Sequence, residues 1–183
     1  MIKTSVLILL LAAFLYSQTL QLSLFEENGK FGYKDQTNQI VIKPRFIVAM
    51  DFSEAGIAAV VDSTGWAYID TLGQIVIRPF VYDNGPDYFS ESLARFVEKN
   101  KFGFFDESGS VVIEPQWDFA YPFKNGKAAV CNGCRISIEN EHGQISDGRW
   151  GYIDKTGKVI VPIGSVEADS AIQCPDSFEI FKH

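Results

Sequence analysis

Between Leu24 and Pro162 the apolar residues fall in runs of three or four or alternate with polar ones. Gly, Pro, Asn or Asp interrupts them every eight to twelve residues. No useful window keeps apolar residues at helical spacing, so the pattern predicts an all-β chain with at most a turn or two of helix. The clearest stretch is 149–162. Trp150, Tyr152 and Asp154 alternate with Gly151 and Ile153, residues 154–157 carry turn chemistry, and Val159 to Val161 form a β-branched return strand that stops at Pro162.

Three earlier segments are imperfect copies of this hairpin. Their lead aromatics Phe31, Trp66 and Phe102, together with Trp150, are spaced by 35, 36 and 48 residues, the last interval carrying about a dozen extra residues between Val130 and Gly148. Self-similarity at such a period signals a repeat architecture. Each turn places Asp first (Asp35, Asp70, Asp106, Asp154) and Asn38, Gly73, Gly109 or Gly157 three residues on. That spacing fits a type I turn closed by a residue in the left-handed region, which Gly adopts without strain and Asn tolerates next best. A third strand-like piece follows each of the first three hairpins: Ile57-Ala58-Ala59-Val60, Leu93-Ala94-Arg95-Phe96 and Lys127-Ala128-Ala129-Val130. A repeat is therefore a hairpin plus a third strand.

The combination of Trp-Gly or Phe-Gly, Tyr-Ile-Asp, a turn Gly, a β-branched run, Pro, and then Phe-Ser-Glu before Leu-Ala or Ile-Ala resembles the WG-repeat (KWG-repeat) family. The resemblance runs from about Gly29 to Ile163. Ala67 departs from the Gly of the Trp-Gly pair, Phe31 and Phe102 from its Trp, and the last copy is cut short after Pro162. The resemblance implies a β-rich scaffold of the kind found in secreted, surface and multidomain bacterial proteins, and implies no catalytic residues. A single hairpin cannot bury its face in water, and stacking copies solves that problem. The expected architecture is a repeat domain over 29–165, with repeats near 29–60, 64–96, 100–130 and 148–163 and an insertion at 131–147. They stack as a short β-superhelix, the alternative being a small propeller.

Residues 1–17 hold one early base, Lys3, an apolar run through Tyr16 and the small Ser17, the pattern of a cleaved secretory signal. The run is shorter than the ~20 residues a spanning helix needs. Residues 18–28 then read as a lead-in and 166–183 as a tail. The formal charge of −7 becomes −8 when Lys3 is removed, and no basic patch is clustered. An acidic chain repels phosphate, which argues against nucleic acid and anionic membranes as partners. Export to periplasm, cell surface or medium is expected, with no stable membrane span.

Cys131-Asn132-Gly133-Cys134 is the sharpest feature outside the repeat. Asn-Gly favours the centre of a tight hairpin turn, which brings its flanking positions within disulfide reach, so a Cys131–Cys134 bridge is expected in an exported chain. A redox-active dithiol is one alternative, and a zinc site completed by His142 and Cys174 is another. The third cysteine leaves the pairing open. Asp83-Asn84-Gly85-Pro86-Asp87 is oxygen-rich, but it lacks the distal Glu of a calcium loop and reads as a turn. Acids recurring at one register, and the lead aromatics, read as structure rather than as a unique site. Glycoside hydrolysis would need two carboxylates facing each other at a defined separation, and Glu54 and Glu91, which recur after the Phe-Ser pair, read as structure for the same reason.

Trp117, Tyr82, Tyr88 and Tyr121 lie in connecting stretches after the prolines; they either fill gaps between repeats or, with the insertion 135–147, are candidate contacts for protein or, as stacking platforms, for sugar rings. With His142 and His183 as the only histidines and no nucleophile elbow, phosphate loop or zinc-protease motif, no reaction is indicated and no cofactor or metal is expected. The expected function is a non-enzymatic exported module that binds a protein or cell-envelope component.

Overall fold

The computed structural model describes residues 21–139 and 142–166. The apolar segment expected to be a signal, nearly all of the tail, Cys174 and His183 lie outside the described residues. Within them every regular element is a strand, in the order set by the alternating pattern.

A three-stranded antiparallel sheet holds β1 (Ser23–Glu27), β2 (Lys30–Lys34) and β3 (Ile40–Phe46) in that order. The second sheet runs β4 (Val48–Ala49), β5 (Ala58–Asp62), β6 (Gly65–Ile69), β7 (Ile75–Ile77). A two-stranded hairpin, β8 (Val81–Tyr82) with β9 (Gly85–Pro86), precedes the third sheet of β10 (Leu93–Glu98), β11 (Lys101–Asp106) and β12 (Val111–Trp117). The fourth sheet orders β13 (Phe119–Ala120), β14 (Lys127–Glu139), β15 (His142–Asp154) and β16 (Val159–Val166).

The third strand of each repeat does not complete its own hairpin. It pairs antiparallel with the lead strand of the next one: Ala59 faces Tyr68, Arg95 faces Phe104 and Ala129 faces Tyr152. The structural unit is thus out of phase with the sequence repeat. The lead-in takes part as well, because β1 places Leu24 opposite Tyr33 in the same register.

The Gly of the Trp-Gly or Phe-Gly pair is required by the return strand. A Cβ on Gly32, Gly103 or Gly151 would lie 2.5–2.6 Å from the carbonyl oxygen of Ile42, Ile113 or Val161. Over each of these glycines the ladder shifts register and resumes, at Phe31–Phe46, Phe102–Trp117 and Trp150–Val166. Ala67 occupies this position in the second repeat. There the return strand is three residues long, against seven in β3 and β12, and its pairing stops at Tyr68–Ile77. Freed from the ladder, the chain crosses at Pro79 to bridge Phe96 of the next sheet.

All four turns close alike. Asp35, Asp70, Asp106 and Asp154 each accept two backbone N–H groups on Oδ1, from residues two and four positions on, at 2.8–3.1 Å. The residue at the fourth turn position is left-handed in every case, including Asn38 at φ 64°.

Side chains of one sheet alternate between two neighbours, as a period of two demands. Ala58, Val60, Ala67 and Ile69 pack with Tyr33, Ile42 and Phe46 of the first sheet. Ala59, Tyr68 and Ile77 pack on the other side with Ala94, Phe96 and Phe105. Leu93, Phe102, Phe104 and Ile113 then face Ala128, Val130, Trp150 and Ile153. The inner sheets are buried on both faces, which accounts for unbroken runs such as Ile57-Ala58-Ala59-Val60. Of the lead aromatics, Phe102 and Trp150 are buried and Phe31 and Trp66 half-buried.

Candidate functional site

Two places break the repeat, and both project from it. The first is the β8–β9 hairpin, which has no counterpart in the other repeats among the described residues. Its turn residues Asp83 and Asn84 are both left-handed, at φ 48° and 62°, the geometry of a tight two-residue hairpin. Within the oxygen-rich segment 83–87, Asp83 and Asn84 form the turn, Gly85-Pro86 is its return strand, and Asp87 follows it.

A fully buried ion pair fixes this hairpin. Arg95 donates from Nε to Asp87 Oδ2 at 2.8 Å and from Nη2 to Oδ1 at 2.7 Å, while its own backbone N–H reaches Oδ2 at 2.9 Å. Its remaining Nη1 donates to the carbonyl of Ala120 at 3.0 Å, and the guanidinium lies 4.9 Å from the Phe80 ring centroid. In the adjacent sheets Ala59 and Ala129 hold the same register position. This repeat thus replaces Ala by Arg where it inserts the hairpin, and Asp87 is the inserted counter-charge. A bidentate fork with a further bond to a backbone carbonyl is the kind of arrangement in which a buried charge is tolerated.

The hairpin presents aromatics. Tyr88 is 66% exposed, and its ring stands edge-on to half-buried Tyr82, with centroids 6.2 Å apart at 77°. Trp66 flanks them, its indole N–H donating to the Asn84 carbonyl at 3.0 Å. The other two aromatics expected to touch a ligand do not reach the surface. Trp117 and Tyr121 are buried in the largest core cluster, 5% and 8% exposed, with Tyr121 stacked on Trp150. Both follow a proline as Tyr82 does, but in the third repeat the chain stays in the ladder and turns them inward.

The second projection is the insertion. Instead of a loop, β14 and β15 run on as a two-stranded ribbon, paired from Asn132–Arg149 out to Glu139–His142. Asn132-Gly133 is accordingly not a tight turn. It lies within β14 opposite Gly148, where Gly133 (φ 80°), Gly148 (φ 83°) and the neighbouring Asp147 (φ 61°) are all left-handed, and the ladder omits this one rung while keeping its register from Asn132–Arg149 to Cys134–Asp147. This irregular rung brings Cys134 toward Cys131, and the two thiols hydrogen-bond to each other. Asp118 clamps it, accepting from Gly133 N–H at 2.7 Å and from Lys101 Nζ at 2.6 Å. Those two donors hold the Asp118 carboxyl below its ordinary range. Burial pushes both thiols above theirs, with the Asp118 charge adding to the effect.

Elsewhere the surface repeats itself. The return strands expose Ile40 and Val41, Ile75 and Val76, Val111 and Val112, Val159 and Ile160. A cavity of about 1110 Å³ opens beside the first sheet, lined by Leu22, Asp35, Asn38, Asp51, Phe52 and Glu54 among others. Among the described residues no three His, Cys, Asp or Glu side chains converge into a metal-binding group, and no helix is long and apolar enough to cross a membrane. His142 ends the ribbon; Cys174, the fourth ligand of the zinc alternative, is outside the described residues.

Comparison with known proteins matches a family model described as "WG containing repeat" at residues 31–62, 66–102, 102–133 and 150–164. No curated protein and no solved structure matches the chain.

Proposed function

The chain belongs to the WG-repeat family, and on that premise we propose that it is an exported, non-enzymatic module that binds a protein or cell-envelope component through the β8–β9 hairpin. The observation that carries this reading is Tyr88, a large aromatic left exposed beside Tyr82 at the one hairpin that a buried, bidentate ion pair holds rigid. Rigid aromatics on a fixed support lose little conformational entropy on binding and are the commonest anchors of recognition surfaces. The residues repeated in every unit are committed to turns, close approaches and shared cores, so specificity falls to what is not repeated. Export is supported by the apolar segment at 1–17, and the acidic charge disfavours nucleic acid as partner.

The same corner of rings suits the apolar faces of sugars, and Trp66 beside it supplies a reporter. The test is titration of the purified chain with envelope proteins and with peptidoglycan- or polysaccharide-derived oligosaccharides, following intrinsic fluorescence and retention. Tyr88→Ala and Tyr82→Ala should weaken capture at least tenfold with the β-sheet circular dichroism unchanged. Equal capture by wild type and both variants would place the contact elsewhere.

A further inference from the structure

At the root of the ribbon, both strands of the β14–β15 pair pass through left-handed glycines that face each other, Gly133 and Gly148. Glycines on both sides of one rung, flanked by left-handed Asp147, leave this rung without side chains and absent from the paired ladder. Cys131 and Cys134 straddle it on one strand. A Cβ built on Gly148 would stand 2.4 Å from Cys131 Sγ and 2.8 Å from Cys134 Cα, so both cysteines converge on the space that glycine leaves empty. We propose that Cys131 and Cys134 form an intrastrand disulfide across this glycine rung, and that it locks the ribbon to the repeat array.

The chemistry closes with a disulfide of the glutathione or oxidoreductase class as oxidant. Cys134, the half-exposed partner, attacks RSSR and releases one RSH. Buried Cys131 then displaces the second RSH from the mixed disulfide. Both thiol protons and two electrons pass to the oxidant, so two RSH form for each Cys131–Cys134 bond. Burial keeps both thiols largely protonated at neutral pH, which makes the exchange slow without a catalyst and suits a structural bond rather than a reactive dithiol. Cys131 also sits where the second and third sheets carry Val61 and Val97. The repeat asks there only for a small apolar group, so the sulfur is an addition to it.

The test uses the full chain equilibrated in glutathione buffers from fully reducing to fully oxidising, alkylated, peptide-mapped by mass spectrometry, and followed by amide hydrogen exchange. The expected result is a Cys131–Cys134 peptide lighter by two hydrogens in oxidising buffer, with amides of Arg135, Ile136, Ile145 and Ser146 exchanging at least tenfold more slowly than in the reduced chain. Cys131→Val, chosen because Val fits that register, should fold with the same circular dichroism and lose the redox dependence. Alkylation of both thiols in oxidising buffer, or a bond from either to Cys174, would overturn the assignment. Equal exchange in the two redox states would overturn the lock.

Discussion

Gly109 lies so close to Val76 of the preceding hairpin that a Cβ on it would stand 2.6 Å from Val76 Cγ1. Gly73 meets Ile42 and Gly157 meets Ile113 in the same way, at 3.1 and 3.2 Å. The turn glycine thus has two tasks, adopting a left-handed conformation and letting each turn settle on the return strand before it. The first turn has no earlier return strand among the described residues, and it alone carries a side chain, Asn38, at this position. Gly109→Ala should therefore cost about 1–3 kcal/mol from overpacking, with left-handed strain added. Asn38→Gly should stay within about 0.5 kcal/mol of wild type. Urea denaturation midpoints of the two variants check the contrast.

The glycine in the lead strand answers to a different neighbour. Gly103→Ala would bring a methyl 2.6 Å from the Ile113 carbonyl oxygen, and backbone cannot step aside as a flexible side chain does. A loss of about 1–3 kcal/mol is expected, together with faster amide exchange along the distal half of β12, where the second repeat, carrying Ala67, has lost its pairing.

Asp87 and Arg95 stabilise as a pair or not at all. Removing one leaves a buried unpaired charge, so Asp87→Ala or Arg95→Ala alone should cost roughly 3–5 kcal/mol. The double variant should recover a large part of that, since Ala is what the neighbouring sheets carry at the arginine's register. A double-mutant cycle on thermal or urea unfolding measures the coupling. Additive losses would mean the pair is not the hairpin's anchor.

Acid should act first on the turns and their bridges. The Thr37 hydroxyl and Gln39 amide hold Asp35 below the usual carboxylate range, and the Ser108 and Thr156 hydroxyls do the same for Asp106 and Asp154. The Arg78 guanidinium lowers Asp62 and the Lys155 ammonium lowers Glu91. A depressed folded pKa means the unfolded chain takes up protons first. The stability these groups give is complete above the ordinary carboxylate range, about pH 4, and is lost as pH falls through the folded values. The cysteines work in the opposite sense. In the reduced chain their raised folded values mean that stability is full below about pH 8.5 and declines above it, as the unfolded thiols ionise. Denaturant midpoints against pH should show the acid limb in both redox states, and the alkaline limb should weaken once Cys131 and Cys134 are oxidised.

The sequence made the strands, the four Asp turns and the repeat legible because each rests on local chemistry: period-two alternation, an Asx-type turn, a left-handed closing residue. Pairing across the repeat boundary was not legible, since a strand's apolar pattern is the same whichever neighbour it joins. For that reason Ser23–Glu27 read as a lead-in. Asn132-Gly133 misled because a left-handed glycine serves inside a continuing ribbon as readily as at a turn, and only the opposing left-handed Gly148 decides between them. Trp117 and Tyr121 share the post-proline setting of Tyr82, yet burial is settled by whether the return strand stays paired, which hangs on Gly103 against Ala67. The Asp87–Arg95 pair left one faint trace in the sequence, a charged residue where two other repeats carry Ala.

The central claim is that recognition belongs to the departures from the repeat and not to the repeated surface. A photoreactive phenylalanine analogue placed at Tyr88, and separately at exposed Val159 of the recurring return-strand stripe, tests it in an exporting host by ultraviolet crosslinking and mass spectrometry. The expected result is a discrete adduct from position 88 that is absent from position 159. An adduct from 159 with none from 88 would contradict it.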